Sequence, residues 1–290
     1  MPRIALKITI LGASGFIGRH LTAHLRKRGD TVIEGRLREA TSAAKECEGS
    51  DVVVNLAGAP AAARWTAAYK DEIRRSRVDV PRALIEKLGR LPGGTRPKAY
   101  ISASAVGYYG TSLTATFTED SAPGNDFLAD VCVGWEREAT RATAYGMRVA
   151  VLRTGIVLGP DGGALKPLMP MFKLGLGGRF ASGKQWTSWI HIDDQVGIYT
   201  AAIDGAGGIL NATAPDPVTN ANFTNALAAA LHRPAFLSTP TFALKLVFGE
   251  GALMMIEGQR VLPVRTREVG YTFKYPHIDA AMENAVIRHP

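Results

Sequence analysis

The chain has 290 residues, of which 46% are hydrophobic, and it carries a net charge of +8 with only two cysteines. A hydrophobic fraction of this size excludes a disordered chain, and the length suits one large or two modest domains. Because Cys47 and Cys132 are far apart in the sequence, a disulfide framework and a cysteine-rich metal site are also excluded.

The positive charge would suit nucleic acid, a membrane surface or a phosphorylated ligand. The basic residues come in small groups within segments that look folded, at 26–28, 74–75 and 265–267. We therefore expect a solvated basic surface with one anionic ligand site and no nucleic-acid partner. No convincing signal peptide or membrane-spanning stretch is found, so we predict a cytoplasmic protein without membrane contact.

The first half of the chain alternates strand-like and helix-like segments. Predicted strands lie at 6–11, 31–35, 51–58, 98–104, 148–159 and 207–213, and predicted helices at 16–28, 127–145, 221–232, 241–255 and 278–287. Near-continuous Val, Ile and Leu runs suit strands buried on both faces, as in parallel sheets. The pattern predicts an α/β fold with a doubly wound parallel sheet. After residue 160 the alternation of strand-like and helix-like segments becomes less regular.

Three glycines, Gly12, Gly15 and Gly18, separate the first predicted strand from the first predicted helix. A glycine at such a turn allows a positive φ, a second lets backbone N–H groups approach a diphosphate, and a third lets helix and strand pack closely. The helix N-terminus adds free donors and a partial positive charge. The position in the first strand–helix turn predicts dinucleotide binding, the alternative being a structural tight turn.

The end of the second predicted strand decides which dinucleotide is favoured. An acid there binds a ribose 2′-hydroxyl, whereas a basic residue accepts a 2′-phosphate. The sequence offers Glu34, Arg36 and Arg38. The two arginines predict NADP as cofactor. NAD stays open if Glu34 turns inward, and all three side chains could instead face water.

Several motifs resemble the atypical, epimerase-like branch of the extended short-chain dehydrogenases/reductases, of YfcH type. They are "GASGFIG", "NLAG" at 55–58, "RW" at 64–65, "SRV" at 76–78, "SASAVGYYG" at 102–110, "LRTGIVLGPDGG" at 152–163, "WIHIDD" at 189–194 and "FGEGALMMIEGQRVLP" at 248–263. The last stretch resembles a C-terminal domain of unknown function found in this branch.

The resemblance implies a Rossmann-type domain over residues 1–165, with a strand returning near 190–215, and a smaller C-terminal α/β substrate domain over 166–290. It implies that the diphosphate is bound by Gly12, Ser14, Gly15, Phe16, Ile17 and Gly18. It places Leu56, Ala57 and Gly58 beside the adenosine, Ser102 and Ser104 near the nicotinamide, and Arg153, Gly155 and Val157 at the border of the nicotinamide pocket.

The sequence departs from the wider superfamily at the Tyr-x-x-x-Lys pair, whose tyrosine moves a proton and whose lysine lowers the pKa of that tyrosine. The pair should fall near Phe127 and Val131, and no tyrosine in the chain has a lysine four positions later. Tyr271 comes nearest, with Lys274 three positions on. The atypical branch also lacks the pair.

The candidates for the missing proton chemistry are Ser104, Tyr108 and Tyr109. A serine bonded to backbone and a packed Tyr-Tyr with satisfied hydroxyls are the structural alternatives. We expect Asp193 and Asp194 to cap a helix and His191 to have no chemical role. Arg64 and Trp65 could cover the ligand.

Two functions from different classes fit these features. The first is an NADP(H)-dependent epimerase or oxidoreductase acting on a small hydroxyl- or carbonyl-bearing metabolite, as a monomer or homodimer without a metal. The second is a non-catalytic NADP(H)-binding sensor or regulator, which the missing Tyr-x-x-x-Lys pair favours. Fold alone does not decide between them.

Overall fold

The apolar runs of the first half form the strands of one parallel sheet in the computed structural model, which describes residues 4–287. The strands are β1 (Lys7–Leu11), β2 (Thr31–Gly35), β3 (Val52–Asn55), β4 (Ala99–Ala105), β5 (Thr116–Phe117), β6 (Arg148–Thr154), β7 (Ile156–Leu158), β8 (Gly178–Phe180), β9 (Trp186–Thr187), β10 (Trp189–His191), β11 (Gly208–Ala212), β12 (Val218–Thr219), β13 (Leu237–Thr239) and β14 (Arg260–Val261).

Helices connect most of these strands. They are α1 (Phe16–Lys27), α2 (Ala40–Cys47), α3 (Ala67–Arg74), α4 (Val80–Gly89), α5 (Phe127–Thr140), α6 (Leu165–Lys173), α7 (Ile192–Asp204), α8 (Asn220–Leu231), α9 (Thr241–Phe248), α10 (Leu253–Ile256), α11 (Val264–Glu268) and α12 (Ile278–Ile287). A π-helical turn, Arg75–Asp79, joins α3 to α4, and short 3-10 turns lie at Val106–Tyr109, Arg141–Tyr145 and Glu250–Ala252.

The large sheet has the order β2–β1–β3–β4–β6–β11, and all neighbouring strands are parallel. One apolar core packs α1 and α7 on one face, and a second packs α2, α4 and α5 on the other. The predicted Rossmann-type, doubly wound parallel sheet is therefore confirmed. After β2 the chain forms α2 and returns directly to β3 beside β1, so the described part of the chain has no strand outside β2.

The sheet has its topological switch point at β1, because β2 and β3 lie on opposite sides of it. Leu11 is in register with Gly35 on one side and with Asn55 on the other. The residues that follow these three strand ends therefore emerge side by side at one edge. In open α/β sheets, ligands bind in the crevice outside the carboxyl ends of the strands at such a point.

Two predicted elements are interrupted. The predicted strand 148–159 breaks at Gly155, whose N–H donates to the Ala212 carbonyl, whereas the next N–H donates to the Ser188 carbonyl. A Cβ on Gly155 would lie 2.5 Å from that Ser188 oxygen, so the chain changes partner strands at a residue without a side chain. The predicted helix 241–255 ends at Phe248, before Gly249 with its φ of +59°.

The C-terminal region adds a smaller α/β unit. A separate apolar core unites α6, α8 and α12, and the short strands pair two by two as β10–β7, β12–β9, β13–β8 and β14–β5. Between these elements, α7 and β11 return to the large sheet, in the 190–215 region where a returning strand was expected. A domain boundary at residue 165 stays a prediction.

Candidate functional site

The glycine turn after β1 leaves its backbone uncovered. Gly12 has a φ of +89°, and its N–H donates to the Gly35 carbonyl at 3.2 Å. Gly15 is the N-cap of α1 and offers no side-chain hydrogen bond to the first amides of the helix. Those amide donors carry the partial positive charge of the helix N-terminus, so the turn is suited to bind an anion.

Steric contacts explain why the first and third positions of the turn, Gly12 and Gly18, are glycine. A Cβ on Gly18 would lie 2.3 Å from the Gly12 carbonyl oxygen, so helix and turn can pack only if Gly18 is bare. A Cβ on Gly12 would lie 3.0 Å from the Ala57 nitrogen, in the loop after β3. These contacts match the roles that a diphosphate-binding turn requires of its glycines.

A cleft of about 640 Å³ opens at this edge of the sheet. Most of the residues predicted to bind the diphosphate, the adenosine and the 2′-phosphate line it, namely Gly12, Ser14, Gly15, Arg36, Arg38, Leu56, Ala57 and Gly58. The buried Asn55 fixes the last three, because its side-chain oxygen accepts the Ala57 N–H at 3.1 Å. The structure thus brings together residues from three separate strand ends.

The charges at the end of β2 favour an anionic ligand. Glu34 turns towards α1, where its carboxylate lies 2.8 Å from the Arg26 guanidinium. Arg36 and Arg38 are exposed at the cleft, and neither side chain forms an ion pair with any residue in 4–287. Glu46 is bonded to the Arg36 N–H at 2.9 Å. Two unpaired guanidinium groups are therefore left at the mouth of the cleft.

Neither Phe16 nor Ile17 lines the cleft with its side chain, and Gly18 has no side chain. The Phe16 ring packs on the loop at 159–163, where a Cβ on Gly162 would lie 2.3 Å from it, and Ile17 packs against the apolar core. Any contact of these residues with a ligand would use their backbone amides.

Ser104 and Arg153 belong to a buried polar network and not to the cleft wall. They are register partners on β4 and β6, and both bind Glu136 of α5. The Ser104 hydroxyl donates to Glu136 at 2.7 Å, and two Arg153 nitrogens donate to it at 2.8 Å each. Burial acts to lower the pKa of Arg153, but the Glu136 carboxylate outweighs it and raises that pKa. The Arg153 charge is therefore neutralised within the protein, and its predicted place at the border of the nicotinamide pocket stays a prediction.

Tyr109 also lies in this network. Its side chain is 3% exposed, its hydroxyl donates to Asn211 at 2.7 Å, and it accepts from Arg153 at 2.9 Å. Burial raises the pKa of Tyr109 to about 12. A phenol this buried and satisfied does not suit the predicted proton donor.

Tyr108 differs from its neighbour. It is half-buried in the 3-10 turn after β4, at the carboxyl end of the sheet. The Arg153 guanidinium lies 3.3 Å from the centre of its ring and fixes the ring orientation. Within residues 4–287 the Tyr108 hydroxyl has no hydrogen-bond partner, so it is free for a ligand.

Three further residues predicted near the nicotinamide have structural contacts. Ser102 is buried and donates to the neighbouring Ala103 carbonyl at 3.0 Å. Gly155 packs on the Ser188 carbonyl, as described above, and Val157 lies in the core with α1 and α7. None of the three presents a free polar side chain to the cleft.

The positions expected for the Tyr-x-x-x-Lys pair are filled by an apolar cluster. Phe127 and Val131 of α5 pack with Trp65 and Ile73, and the Trp65 and Phe127 rings lie 5.3 Å apart at their centres. The Trp65 indole donates to the Ala61 carbonyl at 2.9 Å. Trp65 therefore packs against α5 and is buried, which differs from the predicted cover over the ligand.

The "WIHIDD" motif has a structural role. The His191 ring caps α7 by accepting the Asp193 N–H at 3.1 Å. Asp194 is buried and accepts the backbone N–H groups of Lys274 and Tyr275 and the Tyr271 hydroxyl. The expectation that the two aspartates cap the helix is wrong, because His191 supplies the cap and Asp194 binds the C-terminal segment.

Sequence reasoning missed Glu136, Ser76 and Arg77. Ser76 lines the cleft, and its hydroxyl accepts the Ala59 N–H at 3.1 Å. A signal for Glu136 existed, since a charged residue beside Trp135 and Ala139 sits on the apolar face of a predicted helix. Ser76 and Arg77 lie in the "SRV" motif, which could have indicated them.

The described part of the chain shows no metal site, no ionised thiol and no membrane-spanning helix. Among residues 4–287, no group of His, Cys, Asp or Glu side chains could hold a metal ion. Cys47 and Cys132 are free, and burial raises the pKa of each thiol to about 12. Each described helix is too short or too polar to cross a bilayer.

Residues 8–212 match the model of the NAD dependent epimerase/dehydratase family, and residues 239–285 match a domain of unknown function. The chain belongs to the NAD-dependent epimerase/dehydratase family. The predicted resemblance to epimerase-like short-chain dehydrogenases/reductases, with their C-terminal domain, is thereby confirmed. The residues of the glycine turn and the cleft all fall within the matched family segment.

Relatives in this family span nearly the whole chain. The chloroplastic SDR39U1 homolog of Arabidopsis thaliana is 41% identical over 298 residues, covering 96% of this chain and 86% of that protein. Human epimerase family protein SDR39U1 is 38% identical over 295 residues, covering 97% and 100%. YfhF of Bacillus subtilis is 37% identical over 303 residues, covering 97% and 98%.

Solved structures agree with the fold. Human SDR39U1 (isoform 2), crystallised with NADPH, superposes with a TM-score of 0.88 at 35% identity and covers 98% of this chain and 100% of that chain. UDP-glucose 4-epimerase of Thermotoga maritima, solved with UDP-glucose, has a TM-score of 0.79 at 16% identity and covers 97% and 98%. The second likeness concerns the fold alone.

Proposed function

We propose that this family member binds NADP(H) and is an epimerase or oxidoreductase of a small hydroxyl- or carbonyl-bearing metabolite. The observation that carries the proposal is the pair of unpaired guanidinium groups, Arg36 and Arg38, beside the bare glycine turn. A turn of this kind binds a diphosphate, and two cations at the end of β2 suit a 2′-phosphate. The NADPH in the crystal structure of human SDR39U1 supports the same coenzyme.

Different residues of the cleft bind different parts of the coenzyme. The backbone amides after Gly12 bind the diphosphate, with Gly18 keeping helix and turn in contact. Arg36 and Arg38 bind the 2′-phosphate, and the Leu56–Gly58 loop packs beside the adenosine. Glu34 does not compete for the ribose because its carboxylate is paired with Arg26.

At the reaction end, we assign Tyr108 the role of proton donor to the substrate oxygen. Its hydroxyl lacks a partner within residues 4–287 and lies at the carboxyl end of the sheet, where the ligand of such a sheet binds. Ser104 acts indirectly by fixing Glu136, which in turn fixes Arg153 beneath the Tyr108 ring. The bound nicotinamide supplies hydride transfer.

A non-catalytic coenzyme sensor is the second candidate. It is favoured by the apolar cluster at Phe127 and Val131, which fills the place expected for the Tyr-x-x-x-Lys pair, and by the engaged hydroxyls of Ser104 and Tyr109. In that case the coenzyme would bind with the same residues and no turnover would follow.

Coenzyme titration tests the proposal. The wild type should quench its tryptophan fluorescence with NADPH at lower concentration than with NADH. The double change Arg36→Ala with Arg38→Ala should weaken NADPH about 100-fold, since two charge-assisted contacts are lost, and NADH by less than about 3-fold. The matched control, Arg90→Ala with Arg267→Ala, removes the same charge from exposed positions outside the cleft. Equal losses for both coenzymes would contradict the 2′-phosphate assignment.

Turnover separates the enzyme from the sensor. With a panel of small carbonyl compounds followed at the nicotinamide absorbance, the wild type should oxidise NADPH with at least one of them. Tyr108→Phe should then lower kcat at least about 100-fold with the NADPH affinity unchanged, as expected for a lost general acid. An epimerase returns the hydride to its product and causes no net change in absorbance, so hydroxyl compounds are also incubated with NADP⁺ and the products are analysed by NMR for an inverted centre. Binding of the coenzyme without turnover in either assay would favour the sensor.

A further inference from the structure

Arg77 lies behind the cleft wall, on the π-helical turn between α3 and α4, and its neighbour Ser76 lines the cleft. A Cβ built on Gly58 would lie 3.1, 3.3 and 3.4 Å from the central carbon and the two terminal nitrogens of the Arg77 guanidinium. Three such similar distances mean that the guanidinium lies face-on against Gly58. The bare glycine of "NLAG" therefore makes room for this side chain as well as for a ligand.

The guanidinium also lies close to α5. Its carbon lies 5.1 Å from the centre of the Trp135 ring, and Cys132, one turn earlier on the helix, is close enough to act on its charge. The turn that carries Tyr108 contacts the same part of α5, since a Cβ on Gly107 would lie 3.9 Å from the Cys132 sulfur. Arg77 thus lies between the Leu56–Gly58 loop and the helix beside the proposed reaction end.

The Arg77 side chain has no hydrogen bond or ion pair with any residue between 4 and 287, and its Nη1 atom is fully buried. Burial lowers the pKa of the guanidinium, so the site disfavours the charge it carries. A guanidinium has five N–H donors, and the indole of Trp135, whose nitrogen is itself a donor, offers none of them an oxygen or nitrogen acceptor. Buried charges in proteins are otherwise paired or bound to a ligand.

We propose that Arg77 binds an anionic group, a phosphate or a carboxylate, of the ligand at the inner end of the cleft. This rests on the proposed function for the place of the ligand, whereas the unpaired guanidinium is independent of it. The anion has two sources, the diphosphate of the coenzyme or an acidic group of the substrate. The two terminal N–H groups of the Arg77 guanidinium match the paired oxygens of a phosphate or a carboxylate.

The test compares Arg77→Met, which keeps the length and packing of the side chain, with Arg90→Met at an exposed position outside the cleft. If the coenzyme supplies the anion, Arg77→Met weakens NADPH and NADH by the same factor of about 10 to 100, because both share the diphosphate. If the substrate supplies it, coenzyme affinity is unchanged. Inorganic phosphate and malonate then bind the wild type, with or without NADP⁺, at least about 10-fold more tightly than Arg77→Met.

The proposal is overturned if Arg77→Met equals the wild type in coenzyme, phosphate and malonate affinity while remaining folded by circular dichroism. Should Arg77→Met fail to fold, Arg77→Gln, which keeps N–H donors without the charge, is measured against the same outcomes. A wild type that binds neither coenzyme would defeat the proposed function. The phosphate and malonate titrations without coenzyme would still decide the role of Arg77.

Discussion

Gly18 shows how strictly single residues define the cleft. It lies in the first turn of α1, and an added Cβ would come within 2.3 Å of the Gly12 carbonyl and 2.8 Å of the Ala13 backbone. Both neighbours are backbone atoms and cannot rotate away. Helix and turn would have to separate, which would also move the amides proposed to bind the diphosphate.

We predict that Gly18→Ala lowers the free energy of unfolding by about 1–2 kcal/mol, because the overpacking outweighs the gain in helix propensity of about 1 kcal/mol. Urea denaturation measures the change, and NADPH affinity should fall in parallel. Gly94→Ala is the control, since nothing lies within 4 Å of its added Cβ, and it should stay within about 0.5 kcal/mol of the wild type. A Gly18→Ala protein as stable as the control would show that the turn is not packed as described.

At the residue level, local sequence patterns predicted which residues line the cleft. They did not predict the hydrogen-bond partners of buried polar side chains. Gly12, Arg36 and Gly58 each follow a strand, so their meeting at one edge follows from the parallel sheet. The sequence did not predict the contact of Arg153 with Glu136, which lies on a helix, or that of Tyr109 with Asn211, which lies 102 positions away. A single sequence does not reveal which distant polar side chain will satisfy a buried one.

Between elements, Glu138 joins α4 to α5. It is buried and receives Arg82 from α4 at 3.1 Å and Arg141 from the turn after α5 at 3.0 Å. Burial acts to raise the pKa of Glu138, but the hydrogen bonds and charges of these arginines outweigh it and lower that pKa. The ionised carboxylate therefore stabilises the packing of the two helices.

We predict that Glu138→Gln lowers the free energy of unfolding at pH 7 by about 1–2 kcal/mol, a value reduced by the exposure of the arginines. A lowered pKa in the folded state means stabilisation above the ordinary glutamate pKa and loss of it as the pH falls further. The difference between wild type and variant should hold down to about pH 5 and shrink below it. Urea denaturation from pH 3 to 8 measures it, with exposed Glu268→Gln as control. A difference that grew on acidification would contradict this account of Glu138.

The ends of helices and strands were predicted where local sequence determines them and missed where a distant contact does. The alternation of apolar runs predicted β1, β2, β4 and β11 within a residue or two. It missed the break at Gly155 because the cause is the Ser188 carbonyl on another strand. It also missed the π-helical turn, whose extra residue aims Arg77 at Gly58 and is visible only in the packed structure.

Across the whole molecule, the C-terminal region is tied to the wall of the cleft. Gly251 packs on the Ala63 carbonyl and the Trp65 ring, and Lys70 pairs with Glu250. On the other side, Asp194 of α7 binds the backbone at Lys274 and Tyr275. These contacts join residues 80 to 188 positions apart, which is why the sequence predicted two parts but not how they meet.

The crystal structure of the protein soaked with NADPH tests the central claim most directly. We predict electron density for the diphosphate against the backbone amides of the Gly12–Gly18 turn and for the 2′-phosphate at Arg36 and Arg38. A turn that stays empty at millimolar NADPH, or a coenzyme bound elsewhere on the molecule, would contradict it.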